Sequence, residues 1–133
     1  MDAKIKLDGL DAYLAECCRK YDFQACAVVT SKGQILENAG EFIADRCLLL
    51  LPEYLDMSYK MGVVSEMQGL SSVCLSSSNQ RLKMLAWRFE AWDGLVLCVL
   101  LCLGKLPRHV SVIQHAMMRD IPTLMKPVQG LDI

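Results

Sequence analysis

The sequence lacks most of the features by which a chemistry can be recognised. Its eight glycines form no GxxxxGK[ST] arrangement, so no loop is available to cradle a nucleotide phosphate, and the chain is not itself a P-loop GTPase or a kinase. None of its seven cysteines stands in CxxC spacing and their number is odd, which excludes a zinc-ribbon framework. His109 and His115 fall on different faces of a predicted helix, with no carboxylate or cysteine to complete a ligand set, so no metal or cofactor is expected. No GxSxG elbow surrounds Ser71, Ser72, Ser76, Ser77 or Ser78, which read as ordinary strand and turn serines. Charge of one sign is missing too. With 14 Lys and Arg against 15 Asp and Glu, the net charge is −1, and a nucleic-acid partner is not expected. The longest apolar run, residues 95–103, is less than half of the roughly 20 residues a membrane-spanning helix needs. The amino terminus has no signal-peptide pattern, and the free cysteines imply a reducing compartment, so the cytoplasm is the expected location.

What is present is apolar. The chain has 133 residues, 53% of them hydrophobic, above the roughly 45 to 50% of ordinary domains, which suggests surface that a further chain covers. The length fits one domain, residues 1–133. Leu10, Tyr13, Leu14, Cys17 and Tyr21 fall at helical spacing, so residues 8–20 read as an amphipathic helix capped by Asp8 or Asp11. Residues 24–31 and 34–39 read as a hairpin about a Lys32-Gly33 turn. Residues 42–67 have helical length and apolar content, but Pro52 predicts a kink or two helices. LSSVCLSS (70–77), RLKMLAWRFEAW (81–92) and LVLCVLLCL (95–103) read as three consecutive strands. A last helix is expected from near Pro107 to before Pro122, with Val110, Ile113 and Met117 on its core stripe, and then an irregular tail, 122–133.

A strand buried on both faces reads as an unbroken apolar run, whereas a half-buried strand alternates. The two most apolar strands, AVV and LVLCVLLCL, therefore belong in the centre. The expected fold is α/β (α+β): a five-stranded antiparallel sheet in the order 2-1-5-4-3, sandwiched between helices, with most of the cysteines as packing atoms. Its edges differ. QILENA carries Glu37 beside the Lys32 turn, and charge discourages pairing with another chain. LSSVCLSS carries neither charge nor proline, so it is a template for a neighbouring strand and the expected seat of a homodimer contact.

Two further groups bear on function. Glu37, Glu41 and Asp45 cluster where the second strand meets the second helix, where carboxylates favour the helix dipole without further role. Tyr54, Met57, Tyr59 and Met61 offer large, adaptable contact area on a helix that also carries Glu53, Asp56 and Lys60, and read either as core or as a protein-binding face.

With this order of elements, the segments FQACAVVTSKGQILENAG and RLKMLAWRFEAWDGLVLCVLLCLGKLPRHVSVI resemble the roadblock / dynein light chain family over nearly the whole chain. Members show a first strand that ends in a short glycine turn, here Val28-Val29-Thr30-Ser31-Lys32-Gly33, then a strand and a long helix. They also show a last apolar hairpin that leads into a helix, here residues 85–103 and 107 onward. The resemblance implies a non-enzymatic dimeric platform with profilin-like architecture. Its dimer contacts would fall on Leu51, Leu55, Ser58, Leu70, Ser72, Val73, Cys74 and Leu75. Its partner contacts would fall on Glu53, Tyr54, Asp56, Met57, Tyr59, Lys60 and Met61. Implied partners are a second copy and a small Ras-like GTPase or another signalling or motor protein. No catalytic motif carries over, and Arg46, Arg81, Arg88 and Arg108 are all plausible surface residues. Pro52 and the greasy stretch 47–51 depart from the family pattern. The alternative reading is a profilin-like sensor that holds a small ligand between sheet and helix.

Overall fold

The computed structural model describes residues 5–7, 9–40, 45–65, 72–79, 81–92 and 94–127. In chain order the elements are β1 (Ile5–Leu7), α1 (Leu10–Tyr21), β2 (Ala25–Thr30), β3 (Ile35–Gly40), α2 (Asp45–Val64), β4 (Val73–Ser76), β5 (Lys83–Trp92), β6 (Leu95–Leu103), α3 (Val110–Thr123) and β7 (Met125–Pro127). Five strands form an antiparallel sheet in the order β3-β2-β6-β5-β4, the arrangement that the ranking of strands by apolarity predicts. Every residue of β2 is buried, as is all of β6 from Leu97 onward, because helices cover both faces of these central strands.

Side chains alternate across a pleated strand, and the alternation divides the core in two. One face presents Cys26, Val28, Leu85, Trp87, Leu97, Val99 and Leu101 to α1 and α3, which contribute Leu10, Leu14, Ile113, Met117 and Ile121. The other presents Ala27, Val29, Ala86, Cys98 and Leu100 to α2, which contributes Leu48, Leu51 and Leu55. The second set of strand side chains is smaller, so α2 can lie close to the sheet.

The hairpin turn closes with Gly33 at φ 92°; its N–H donates to the Thr30 carbonyl at 2.9 Å. Gly40 is constrained more tightly. It has φ +82°, and a Cβ built there would lie 2.2 Å from the Gln24 carbonyl oxygen, so the strand end accepts no side chain.

Several expectations are corrected. Of the two alternatives at Pro52, division into two helices does not occur: α2 is one helix of 20 residues with Pro52 inside it. Leu48, Leu51 and Leu55 form one buried stripe across the proline, and this packing holds both halves against the same sheet despite the lost N–H. The last helix starts later and ends later than expected, at Val110 and Thr123, with Pro122 in its final turn. The tail is not irregular at its start, because β7 pairs antiparallel with β1, a strand that no sequence pattern suggests. The first helix begins after Gly9 with no side-chain cap, and Asp11 in its first turn favours the dipole. Asp8, Glu41 and residues 128–133 lie outside the described residues.

Candidate protein-interaction surface on α2 and β4

A sheet edge becomes a binding site only if its outward backbone groups are free, and the register shows which these are. The Ser77 N–H donates to the Leu82 carbonyl at 2.8 Å, and Val73 stands opposite Ala86, Leu75 opposite Met84. Hydrogen-bonded pairs alternate along an antiparallel ladder, so residues 73, 75 and 77 turn their backbone groups toward β5. Cys74 and Ser76 turn theirs outward. β4 ends the sheet, and Cys74, Leu75 and Ser76 are all exposed. No charged side chain stands on the strand, so its own residues do not oppose a second strand.

α2 adds an apolar surface beside that edge. Leu50, Tyr54, Met57, Met61 and Val64 follow one another at helical spacing and share one side of the helix. Met57 is 60% exposed, Met61 63% and Val64 83%. This stripe meets β4 across a groove of about 250 Å³, lined by Leu50, Leu51 and Tyr54 from the helix and by Leu75, Met84 and Leu100 from the sheet. A second, shallower hollow continues along Met57, Met61 and Val64. Exposed side chains of this kind, contiguous over several residues, mark an interaction site far more often than scattered ones do.

A flanking side of α2 carries the helix's charges, beside the exposed Leu49 and Val63. Asp56 accepts from Lys60 at 3.0 Å and from Arg88 of β5 at 3.5 Å. The Arg88 guanidinium also stacks on the Tyr59 ring, 4.4 Å from its centroid, so two contacts orient it. The bond from Lys60, with a smaller contribution from Arg88, holds the Asp56 carboxyl below the usual range. A hollow of about 280 Å³ opens beside this cluster, bounded by Ser31, Pro52, Glu53, Asp56, Arg88 and Cys98.

The expected contact residues therefore separate. Leu51 and Leu55 pack in the core: Leu55 is fully buried against its own sheet, while Leu51, 4% exposed, also lines the groove. Ser58 is half-buried and donates to the Tyr54 carbonyl at 2.8 Å. Ser72 and Val73 are half-buried, Cys74 and Leu75 exposed; Leu70 lies outside the described residues. Of the expected partner contacts, Tyr54, Met57 and Met61 lie on the apolar side, while Asp56, Tyr59 and Lys60 form the charged cluster, with Glu53 exposed between the two. Sequence reasoning missed Leu50 and Val64, which complete the stripe, and Arg88. Helical spacing from Met57 and Met61 would have found the first two; Arg88 joins the cluster only through sheet pairing. Among the described residues, no group of three or more His, Cys, Asp or Glu side chains could hold a metal ion, and no helix is long and apolar enough to cross a membrane.

Three layers, a β3-β2-β6-β5-β4 antiparallel sheet and a long helix beside its β4 edge make up a roadblock-like fold, and solved structures share it. The gliding protein MglB from Thermus thermophilus superimposes with a TM-score of 0.67 at 12% identity, over 93% of this chain and 97% of that one. An MglB in a tetrameric arrangement gives 0.65 at 12% identity over 93% and 96%. The Roadblock/LC7 domain from Streptomyces avermitilis gives 0.52 at 12% identity over 76% and 80%. No protein-family model and no curated protein sequence matches the chain, so the likeness is one of fold.

Proposed function

We propose that this chain is a non-enzymatic roadblock-like scaffold or regulator that pairs with a second copy of itself and binds a small Ras-like GTPase or a related signalling or motor protein. The observation that carries the reading is the continuity of the apolar α2 stripe with the uncharged, outward-facing edge of β4. A second copy related by a two-fold axis would add its own β4 to this edge, extend the sheet and cover both α2 stripes. The structural likeness to an MglB in a tetrameric arrangement supports self-association. The charged side of α2, with Glu53, Asp56, Lys60 and the stacked Arg88, stays outside that contact and is the surface assigned to the GTPase. Cytoplasmic residence belongs to this reading.

The experiment is sedimentation velocity on the wild type and on Leu75→Lys, followed by titration of fluorescent nucleotide-loaded Ras-like GTPases. A wild-type dimer that Leu75→Lys converts to a folded monomer supports the pairing. A wild-type monomer, or a variant that remains dimeric, overturns it. Binding of one GTPase that is weakened at least tenfold by Arg88→Ala supports the partner surface. The groove between α2 and β5 favours one competing reading, a sensor with a small apolar ligand; native mass spectrometry that shows a bound metabolite on a monomer would establish it instead.

A further inference from the structure

The end of the sheet away from the 31–34 turn carries a charged hollow that the scaffold reading leaves without a role. Two short connections form it. Asp22 adopts a left-handed conformation at φ 60° and ends α1; the Phe23 N–H then donates back to the Cys18 carbonyl at 3.0 Å, and the Gln24 N–H ties this reversal to the Cys102 carbonyl of β6 at 2.8 Å. Beside it, β6 gives way at Gly104 to Lys105-Leu106-Pro107-Arg108, which leads into α3. Between the two connections opens a hollow of about 510 Å³ whose lining includes Tyr21, Asp22, Gln24, Lys105 and Arg108, within the roughly 300 to 1,000 Å³ of small-molecule sites.

The rim is positive. Lys105 and Arg108 line the hollow, and Lys20 stands over the Tyr21 ring, 5.2 Å from its centroid. A Cβ built on Gly104 would lie 3.7 Å from the Arg81 carbonyl oxygen, which places Arg81 beside the same connection. Arg19, Lys60, Arg88 and Arg119 each face a carboxylate. Lys20, Arg81, Lys105 and Arg108 are exposed and form no ion pair among the described residues. Among those residues the lining carries one carboxylate, Asp22. No side chain caps α3, which begins two residues after Arg108, so the positive end of its dipole adds to the same sign. Like charges gathered on one rim repel one another, and an anion between them relieves that repulsion.

We infer that this hollow binds the linked phosphates of a small polyphosphate, inorganic or carried by a nucleoside. A single carboxylate leaves most of the rim's charge unmatched, whereas linked phosphates bring several negative charges in one small ligand. Arg108 offers a planar fork that fits phosphate oxygens, and Lys20 and Lys105 serve as point charges beside it. Side chains rather than a glycine-rich loop hold the ligand, and the site is one of binding, with no bond made or broken. The hollow shares no residue with α2 or β4, so it is independent of the proposed dimer and of the surface assigned to the GTPase.

The test is isothermal titration calorimetry of the folded full chain with inorganic triphosphate, GTP, ATP and guanosine at graded salt. The expected result is one triphosphate bound per chain, more weakly as salt rises. The double variant Lys105→Gln, Arg108→Gln should lose at least tenfold in affinity, while Lys32→Gln, at the other end of β2, binds as the wild type does. All three replaced side chains are exposed, so thermal melts of the variants should match the wild type. GTP or ATP bound more tightly than triphosphate supports the site and makes a nucleotide its ligand; nucleotides bound no more tightly support it with the phosphates alone recognised. Absence of binding by triphosphate and both nucleotides, guanosine bound as tightly as GTP, or an affinity that the double variant leaves unchanged overturns the proposal. So does an equal loss in Lys32→Gln, which would mark general charge attraction, or association with phosphatidylserine vesicles by a chain that does not bind triphosphate.

Discussion

The two faces of the sheet are built differently. On one, α1 and α3 lie over large strand side chains, Trp87, Leu97, Leu101 and Leu103 among them, and Tyr13 of α1 donates to Asp120 of α3 at 3.1 Å, joining the two helices over that core. On the other, a single helix rests on Ala27, Val29, Ala86 and Cys98 and leaves a groove at its flank and apolar side chains in solvent. The first face is completed within the chain. The second has apolar area still to bury, and at about 25 cal/mol per Å² such area favours association. Stability is thus concentrated on one side of the sheet, and the recognition proposed above on the other.

Substitutions can probe this division. The largest effect is expected at Val99, fully buried beneath α1 and α3. Val99→Asp places an unpaired carboxylate there and should cost about 5 kcal/mol, enough to abolish the cooperative transition in urea melts; a folded, soluble variant would show that this face is not closed. Next is Tyr13→Phe, which removes the bond between α1 and α3 and should cost about 1 kcal/mol. The Asp120 carboxyl is held below the usual range first by Arg119 and then by Tyr13, against some opposing desolvation. Its contribution is therefore present above the unfolded-state value and lost as pH falls through the lower folded value. The stability difference between wild type and Tyr13→Phe should accordingly be full at neutral pH and shrink below the ordinary aspartate range, which denaturation midpoints across acidic buffers would show; a difference that grows with acid would contradict the assignment. The smallest effect on folding belongs to Met57→Ser, which should change monomer stability by no more than about 0.5 kcal/mol while weakening self-association in dilution experiments. A large loss of stability would place Met57 in the core and erase the contrast between the faces.

Much of this layout was legible in the residues. LVLCVLLCL and AVV identify the central strands because only a strand covered on both sides tolerates an unbroken apolar run, and the charge content of the remaining strands separates the protected edge from the bare one. Other features were not. β1 and β7 are three residues each, too short for any periodicity, and they pair across almost the entire chain. Pro52 reads as a kink or a division because local propensity knows nothing of the stripe Leu48, Leu51 and Leu55 that holds both helix halves on the sheet. The resemblance assigns Leu51 and Leu55 to a dimer contact, although their spacing from Leu48 already describes a core stripe. The Asp56, Tyr59 and Arg88 cluster spans 32 positions between its carboxylate and its guanidinium, a separation that only strand pairing closes.

The β1–β7 pair also fixes where the chain can be extended. Ile5–Leu7 and Met125–Pro127 run side by side, and Met125 is buried among the residues under α1 and α3. A fluorescent protein or affinity tag spliced directly onto Ile5 or Pro127 would therefore start from one place. The same adjacency makes the molecule a candidate for circular permutation: a short linker from 127 to 5, with new ends opened in the exposed 31–34 turn, would preserve every strand pairing of the main sheet.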